Sequence, residues 1–221
     1  SNNKIYIYSY PNITKPKEKS IYNLKEIMTD VIFVQGNGSN INIVNKNGEI
    51  YESLTRRNTE LANIKKLISS NTAKYALDND GYLYAKGNGN TGMWGDISSK
   101  SNYIEVTKDG TNYFDNVKDI FTSKAGNSAI FITKDNKIYW AGSTSYIGLP
   151  SIEGDIQTVG SGKITRYPKE VNSTRIGEIK DKIIDIKYSF INSGGIYGTN
   201  TIIQTTDGKI YTYSANNANM T

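Results

Sequence analysis

The chain has 221 residues, with 26 basic and 21 acidic side chains for a formal charge of +5, and it has no cysteine and no histidine. Disulfide frameworks, thiolate zinc sites, cysteine nucleophiles and histidine-based triads are therefore excluded. An apolar content of 37%, 17 tyrosines and only 4 prolines suit one all-β domain, because aromatic and β-branched side chains pack well on a half-buried pleated surface.

Taken in chain order, the first strand is expected in NKIYIYSY from Asn3. No secretory signal opens the sequence, and Ser1-Asn2 reads as a cloning remnant, which leaves room for a targeting segment upstream. Lys15, Lys17 and Lys19 then form a short basic cluster without arginine, the pattern of a solvated loop rather than a nucleic-acid patch. Strand-like stretches follow at DVIFVQ from Asp30 and INIVN from Ile41, then a turn and NGEIYESL from Asn47.

The same order returns three times. IKKLIS, AKYALD and DGYLYAKG start at Ile64, Ala73 and Asp80; VKDIFTS, AIFITK and DNKIYWAG at Val117, Ala129 and Asp135; IIDIKYS, TIIQTT and DGKIYTYS at Ile183, Thr201 and Asp207. The aliphatic anchors Ile5, Ile50, Leu83, Ile138 and Ile210 lie 45, 33, 55 and 72 residues apart, so the length variation belongs to loops. Each Asn/Asp-Gly pair between two strands predicts a hairpin turn with positive φ, supplied by Gly48, Gly81 and Gly208 and, at the remaining turn, by Asn136. Alternation in VKDIFTS places Val117, Asp119 and Phe121 on one face and Lys118, Ile120 and Thr122 on the other. A short fourth segment, YIEV or YPKEV, completes the unit in the longer connections.

Three antiparallel strands plus a short fourth, recurring at tens of residues, predict the blades of a β-propeller. The unit resembles the repeat named after the regulator of chromosome condensation. KGNGNTGMWG carries that family's glycine spacing through Gly87, Gly92 and Gly95, YPKEV its P-x-x-V element through Pro168 and Val171, and YALDNDG its A-L-x-x-x-G element through Ala76, Leu77 and Gly81. The family tryptophan is replaced by Tyr8, Ser53, Lys86, Ala141 and Tyr213, and the family histidine by Asn40, Ala73, Ser128 and Asn200. The resemblance implies an all-β propeller domain over residues 1–221, an arc of about four blades from a larger ring. Its repeats run approximately over 1–48, 49–81, 82–136 and 137–208, with an extra strand at 209–214. That strand, DGKIYTYS, is expected to begin a blade left incomplete, because SANNANMT is short and polar.

Several motifs that suggest chemistry read better as structure. The G-x-G-x-x-G at Gly87, Gly89 and Gly92 follows a strand, but MWGDISSKSNYIEV after it has no helical apolar period to hold a pyrophosphate, so a tight blade loop is expected. Asp78 to Gly81 lacks the remaining oxygen ligands of a calcium loop and reads as a hairpin turn. GGIYGT from Gly194 lacks the lysine of a phosphate loop, and Glu153 with Asp155 reads as a solvated loop pair. No cofactor or metal site is expected.

The forty-residue connection from Gly142 to Ile183 is far longer than an ordinary loop and holds Tyr146, Arg166 and Tyr167, residue types in which binding energy concentrates. Trp94, flanked by glycines, is expected to be an exposed anchor, and Trp140 to pack between blades. Trp94, Tyr146, Arg166 and Tyr167 are therefore the candidate binding residues.

The reading that follows is a non-catalytic scaffold for a protein partner, able to self-associate through open blade edges and without membrane insertion. The composition, rich in Lys, Asn, Ile and Tyr as an AT-rich genome gives, points to a bacterial protein, which is expected to be exported or on the cell surface, with the cytoplasm as the alternative location. Two other classes compete. A carbohydrate-active or lyase-type propeller enzyme requires carboxylates or Tyr and Arg groups converging in one pocket, and a lysine-driven nucleic-acid binder requires affinity that falls steeply with salt.

Overall fold

A computed structural model describes residues 4–8, 24–37, 40–70, 72–122, 128–144, 156–159, 162–171, 173–193, 196–214 and 217–220. Strand β1 (Ile5–Tyr8) pairs with β2 (Leu24–Met28) in a sheet of two. Four sheets of four strands follow. The first contains β3 (Val31–Asn37), β4 (Asn40–Asn45), β5 (Ile50–Tyr51) and β6 (Arg57–Asn58); the second β7 (Ile64–Ser69), β8 (Ala73–Asp78), β9 (Leu83–Gly87) and β10 (Lys100–Glu105). The third contains β11 (Val117–Thr122), β12 (Ser128–Thr133) and β13 (Ile138–Gly142). Its fourth strand comes only after a separate hairpin, β14 (Ile156–Val159) with β15 (Gly162–Thr165), as the two-residue β16 (Lys169–Glu170). A short helix, α1 (Thr174–Ile179), leads into the fourth sheet of β17 (Ile183–Ser193), β18 (Ile196–Thr205), β19 (Ile210–Ser214) and β20 (Asn217–Met220).

Within each four-stranded sheet neighbouring strands are antiparallel and, apart from β13 and β16, consecutive, so each is a blade. The tight turns between second and third strands have the conformation that their sequence requires, with φ of 72° at Gly48, 110° at Gly81, 61° at Asn136 and 78° at Gly208. At Asp78 the carboxylate also accepts from the Gly81 and Tyr82 amides at 2.7 and 2.8 Å, closing the turn.

The core lies in the seams between blades. Val44 and Ile50 of the first blade meet Ile64, Leu67 and Ala76 of the second. Tyr75, Leu77, Leu83 and Ala85 on the second blade's other face meet Ile120, Ala129, Phe131 and Ala141 of the third. Ile130, Ile132, Ile138 and Trp140 then face Ile183, Ile186 and Ile203 of the fourth, with Ile176 and Ile179 of α1 completing that seam. Trp140, 1% exposed, packs between blades as its sequence position predicts, and its indole donates to the Ser143 carbonyl at 2.9 Å.

Two expectations are corrected. The alternation in VKDIFTS is broken by a register shift between Val117 and Asp119: the extra residue of a bulge turns every later side chain over, so Val117 shares the second seam with Ile120 while Phe121 enters the third. The same shift recurs in β3, β7 and β17. Nor does DGKIYTYS begin a new blade. It forms β19, the third strand of the fourth blade, and the polar tail supplies β20 as its fourth. An outermost strand pairs through its backbone and needs no buried side chains. Among the described residues no helix is long and apolar enough to cross a membrane.

Candidate functional site: the loop rim of the first three blades

In every blade the loops joining first to second and third to fourth strands leave the same end of the sheet, opposite the tight turns. The third-to-fourth loop of the second blade is KGNGNTGMWG and its continuation. It opens with a 3-10 turn at Gly89–Thr91, capped by the Asn88 side chain accepting from Asn90 N and ended by Gly92 at φ 67°. The glycine cluster is thus a compact blade loop and not a nucleotide-binding turn.

This loop docks on the third blade's long connection through a reciprocal pair. Gly95 N donates to the Arg166 carbonyl at 2.9 Å, and Arg166 Nε donates back to the Gly95 carbonyl at 3.3 Å. The Tyr167 ring fills the space that a side chain on Gly95 would need, and its Oη would stand 2.6 Å from a Cβ on Gly110. Gly95 and Gly110 have φ of 82° and 96°, a conformation that glycine adopts without strain. Beneath, Met93 is fully buried in the second seam and Trp94 packs partly against it, its indole donating to Ser98 O at 2.9 Å. Ile97 and Tyr113 are each 51% exposed nearby.

Of the four candidate binding residues, the structure therefore gathers Trp94, Arg166 and Tyr167 from two blades onto one rim, and Tyr146 lies outside the described residues. Trp94 is half-buried rather than freestanding, Arg166 is exposed, and Tyr167 is half-buried in the seam. Lys15, Lys17, Lys19, Glu153 and Asp155 also lie outside the described residues, and the portion of GGIYGT that is described forms the start of β18.

A second cluster occupies the first seam at the same end of the second blade. Glu52, 7% exposed, points from the first blade toward Lys74 and Lys86, its Oε1 at 3.3 and 2.9 Å from their ammonium nitrogens. The Tyr103 hydroxyl donates to the same oxygen at 3.0 Å, and the Tyr103 amide donates to Glu60 at 3.0 Å. Lys86 also lies 4.3 Å from the Tyr103 ring centre, where the π face attracts a cation. Burial pushes the Glu52 carboxyl up, but the Lys86 hydrogen bond, the charges of Lys74 and Lys86 and the Tyr103 hydroxyl outweigh it and hold it below the usual glutamate value. The Tyr103 phenol is raised, by burial first and then by the Glu52 charge. Sequence reasoning missed this cluster. Its one visible signal was Lys86 standing where the repeat family has tryptophan.

Beside Lys74 and Lys86 lies a half-open recess of about 290 Å³, reached also by Lys100 and by Ser70, Thr72 and Ser101. On the innermost strands a separate cleft of about 260 Å³ holds Lys66, which pairs with Asp119 at 2.6 Å and sits 4.6 Å from the Phe121 ring centre.

Four antiparallel blades stacked seam to seam define a β-propeller fold. No protein-family model and no curated protein matches the chain. Among solved structures it is similar to Prp20p from Saccharomyces cerevisiae, with a TM-score of 0.58 and 13% identity over 86% of this chain and 48% of that one. A second yeast structure, RCC1 (Prp20) bound by Kap60, gives 0.57 and 12% over 86% and 46%. Human WBSCR16 gives 0.55 and 14% over 83% and 46%. The chain spans about half the length of each, and at such identities the likeness is one of fold.

Proposed function

We propose that this propeller arc is a non-catalytic protein-binding scaffold whose docking surface is the rim where Trp94, Ile97, Arg166 and Tyr167 meet. The observation that carries it is the convergence of an indole, a guanidinium and a phenol from two blades onto one rim, held there by the hydrogen bonds of Gly95 to the Arg166 carbonyl and from the Arg166 guanidinium. Aromatic and arginine side chains on rigid elements are the types that dominate interface energetics. The solved structures with this fold lend support by analogy, since the one of Prp20p is described with its binding to Gsp1p and histones and another holds yeast RCC1 bound by Kap60. Fold alone does not fix a partner, so neither is assigned here.

The composition, rich in lysine, asparagine, isoleucine and tyrosine as an AT-rich genome gives, supports a bacterial origin, and we propose that the protein is exported or on the cell surface. Recovery of the protein only from the cytoplasmic fraction of its native cells overturns that location. For the scaffold, the test is affinity capture from the native source followed by direct binding to the purified candidate. Trp94→Ala combined with Ile97→Asp is expected to lower affinity at least about ten-fold without shifting the unfolding midpoint comparably. A variant that binds every captured protein as tightly as the parent sinks the proposal.

A further inference from the structure

The repeat itself supplies a control for each of its positions. Lys74 and Lys86 are direct cross-strand partners on β8 and β9. The register gives their counterparts as Ala129 and Ala141 in the third blade and Thr201 and Tyr213 in the fourth, and sequence alignment gives Ile41 and Ser53 in the first. Only the second blade places two cations there. Lys100 follows on β10, opposite Gly87, so three adjacent strands each carry a lysine to one end of the blade.

Like charges directly opposite on neighbouring strands destabilise a sheet, and the fold offsets this pair with one carboxylate. Glu52 occupies the position that is Ala85 in the second blade and Trp140 in the third, and it lies beneath the two ammonium groups. Lys86 is committed, held by Glu52 at 2.9 Å, near Glu60 at 3.9 Å and over the Tyr103 ring. Lys74 and Lys100 each have fewer contacts than donors. An ammonium has three donors, and Lys74 meets Glu52 only at 3.3 Å, while Lys100 contacts Ser98 Oγ at 2.6 Å and the exposed Asp96 at 3.5 Å. Both line the recess.

We infer that this recess binds an acidic peptide segment, with Lys74 and Lys100 each receiving a carboxylate and Lys86 holding the floor through Glu52. Strands lie about 4.8 Å apart, so the lysines of β8 and β10 are separated by roughly 10 Å. That spacing exceeds one small anion and falls between the roughly 7 Å and roughly 14 Å that separate same-side side chains two and four residues apart in an extended peptide. The protein's net charge of +5 favours the same class of partner. This inference rests on the scaffold reading, to which it adds the chemistry of the partner, and its test needs no captured partner.

The experiment is fluorescence anisotropy with labelled hexaglutamate at low ionic strength, with hexaglutamine as control. Hexaglutamate is expected to bind, to be displaced by salt, and to weaken about ten-fold in the Lys74→Gln, Lys100→Gln double variant, whose circular dichroism and unfolding midpoint report an intact fold. Lys118→Gln, at an exposed lysine of the third blade outside the recess, is expected to leave this affinity unchanged, and because the probe needs no captured partner a failure here is separable from a failure of the rim. Absence of hexaglutamate binding, equal binding by the double variant, or binding of inorganic phosphate at these lysines while hexaglutamate is ignored each overturns the inference.

Discussion

The Tyr167 ring occupies the volume that a methyl group on Gly95 would enter, and Gly95 is at the same time hydrogen bonded to Arg166, the residue before it. One glycine thus sets how closely the second and third blades approach at their rim. Gly95→Ala combines a strained φ of 82° with a clash against a ring lodged in the seam. It is expected to cost about 2 kcal/mol or more in urea denaturation. In a double-mutant cycle with Tyr167→Ala, the coupling is expected to be at least about 0.5 kcal/mol, because the second change removes the clash. Strict additivity shows that the two residues do not meet.

Glu52 provides a pH prediction. Its folded value lies below the ordinary 4.5, so the unfolded chain binds this proton more tightly than the folded one. The stabilisation is fully present above about pH 4.5 and is lost as pH falls through the lowered folded value. Glu52→Gln leaves two part-buried ammonium groups without their shared carboxylate, and is expected to cost about 3 kcal/mol near neutral pH. The loss is expected to shrink toward pH 3, where the parent carboxylate begins to protonate. Urea midpoints of parent and variant across that range check it, and a difference independent of pH removes Glu52 from the account.

What could be read in the sequence was whatever repeats. Five KIY-like segments and four hairpin turns fix four blades, because primed turns leave a local mark that survives drift elsewhere. The bulge in each first strand leaves no such mark. Nothing in VKDIFTS distinguishes strict alternation from one extra residue, so Val117 and Phe121 are expected on one face and lie instead in different seams. Helix α1 was not foreseen, since six residues carry too little periodicity, although Ser173 caps it by accepting from Ile176 N. The candidate rim was half legible. Residue types picked out Trp94, Arg166 and Tyr167, but their meeting depends on contacts 71 residues apart. The Glu52 cluster was hidden because its members come from two blades and three of its four side chains look like ordinary surface charge.

The hairpin turn of the fourth blade makes a prediction by itself. Thr205 Oγ1 donates to Asp207 Oδ1 at 2.6 Å, and Lys182 and Lys209 stand at 3.5 and 3.6 Å. With the threonine hydrogen bond as the largest cause, these hold the Asp207 carboxyl down to about 2. Carbon-detected NMR titration is expected to place its midpoint there, and Thr205→Val to move it up toward the ordinary 3.8. Since the group is fully exposed, the turn's contribution to stability is small. A midpoint unchanged by Thr205→Val removes that hydroxyl as the cause.

The third and fourth blades differ most in what covers them. Ile130, Ile132, Ile138 and Trp140 are at most 3% exposed because the fourth blade lies against them. The fourth blade's own positions in the same register are Ile202, Gln204, Ile210 and Thr212, of which Ile202 is 47% and Ile210 64% exposed. Trp140→Ala is therefore expected to cost about 3–5 kcal/mol, whereas Thr212→Ala is expected to stay within about 0.5 kcal/mol. Urea unfolding midpoints of the two variants check the contrast, and equal losses would show that the fourth blade does not cover Trp140.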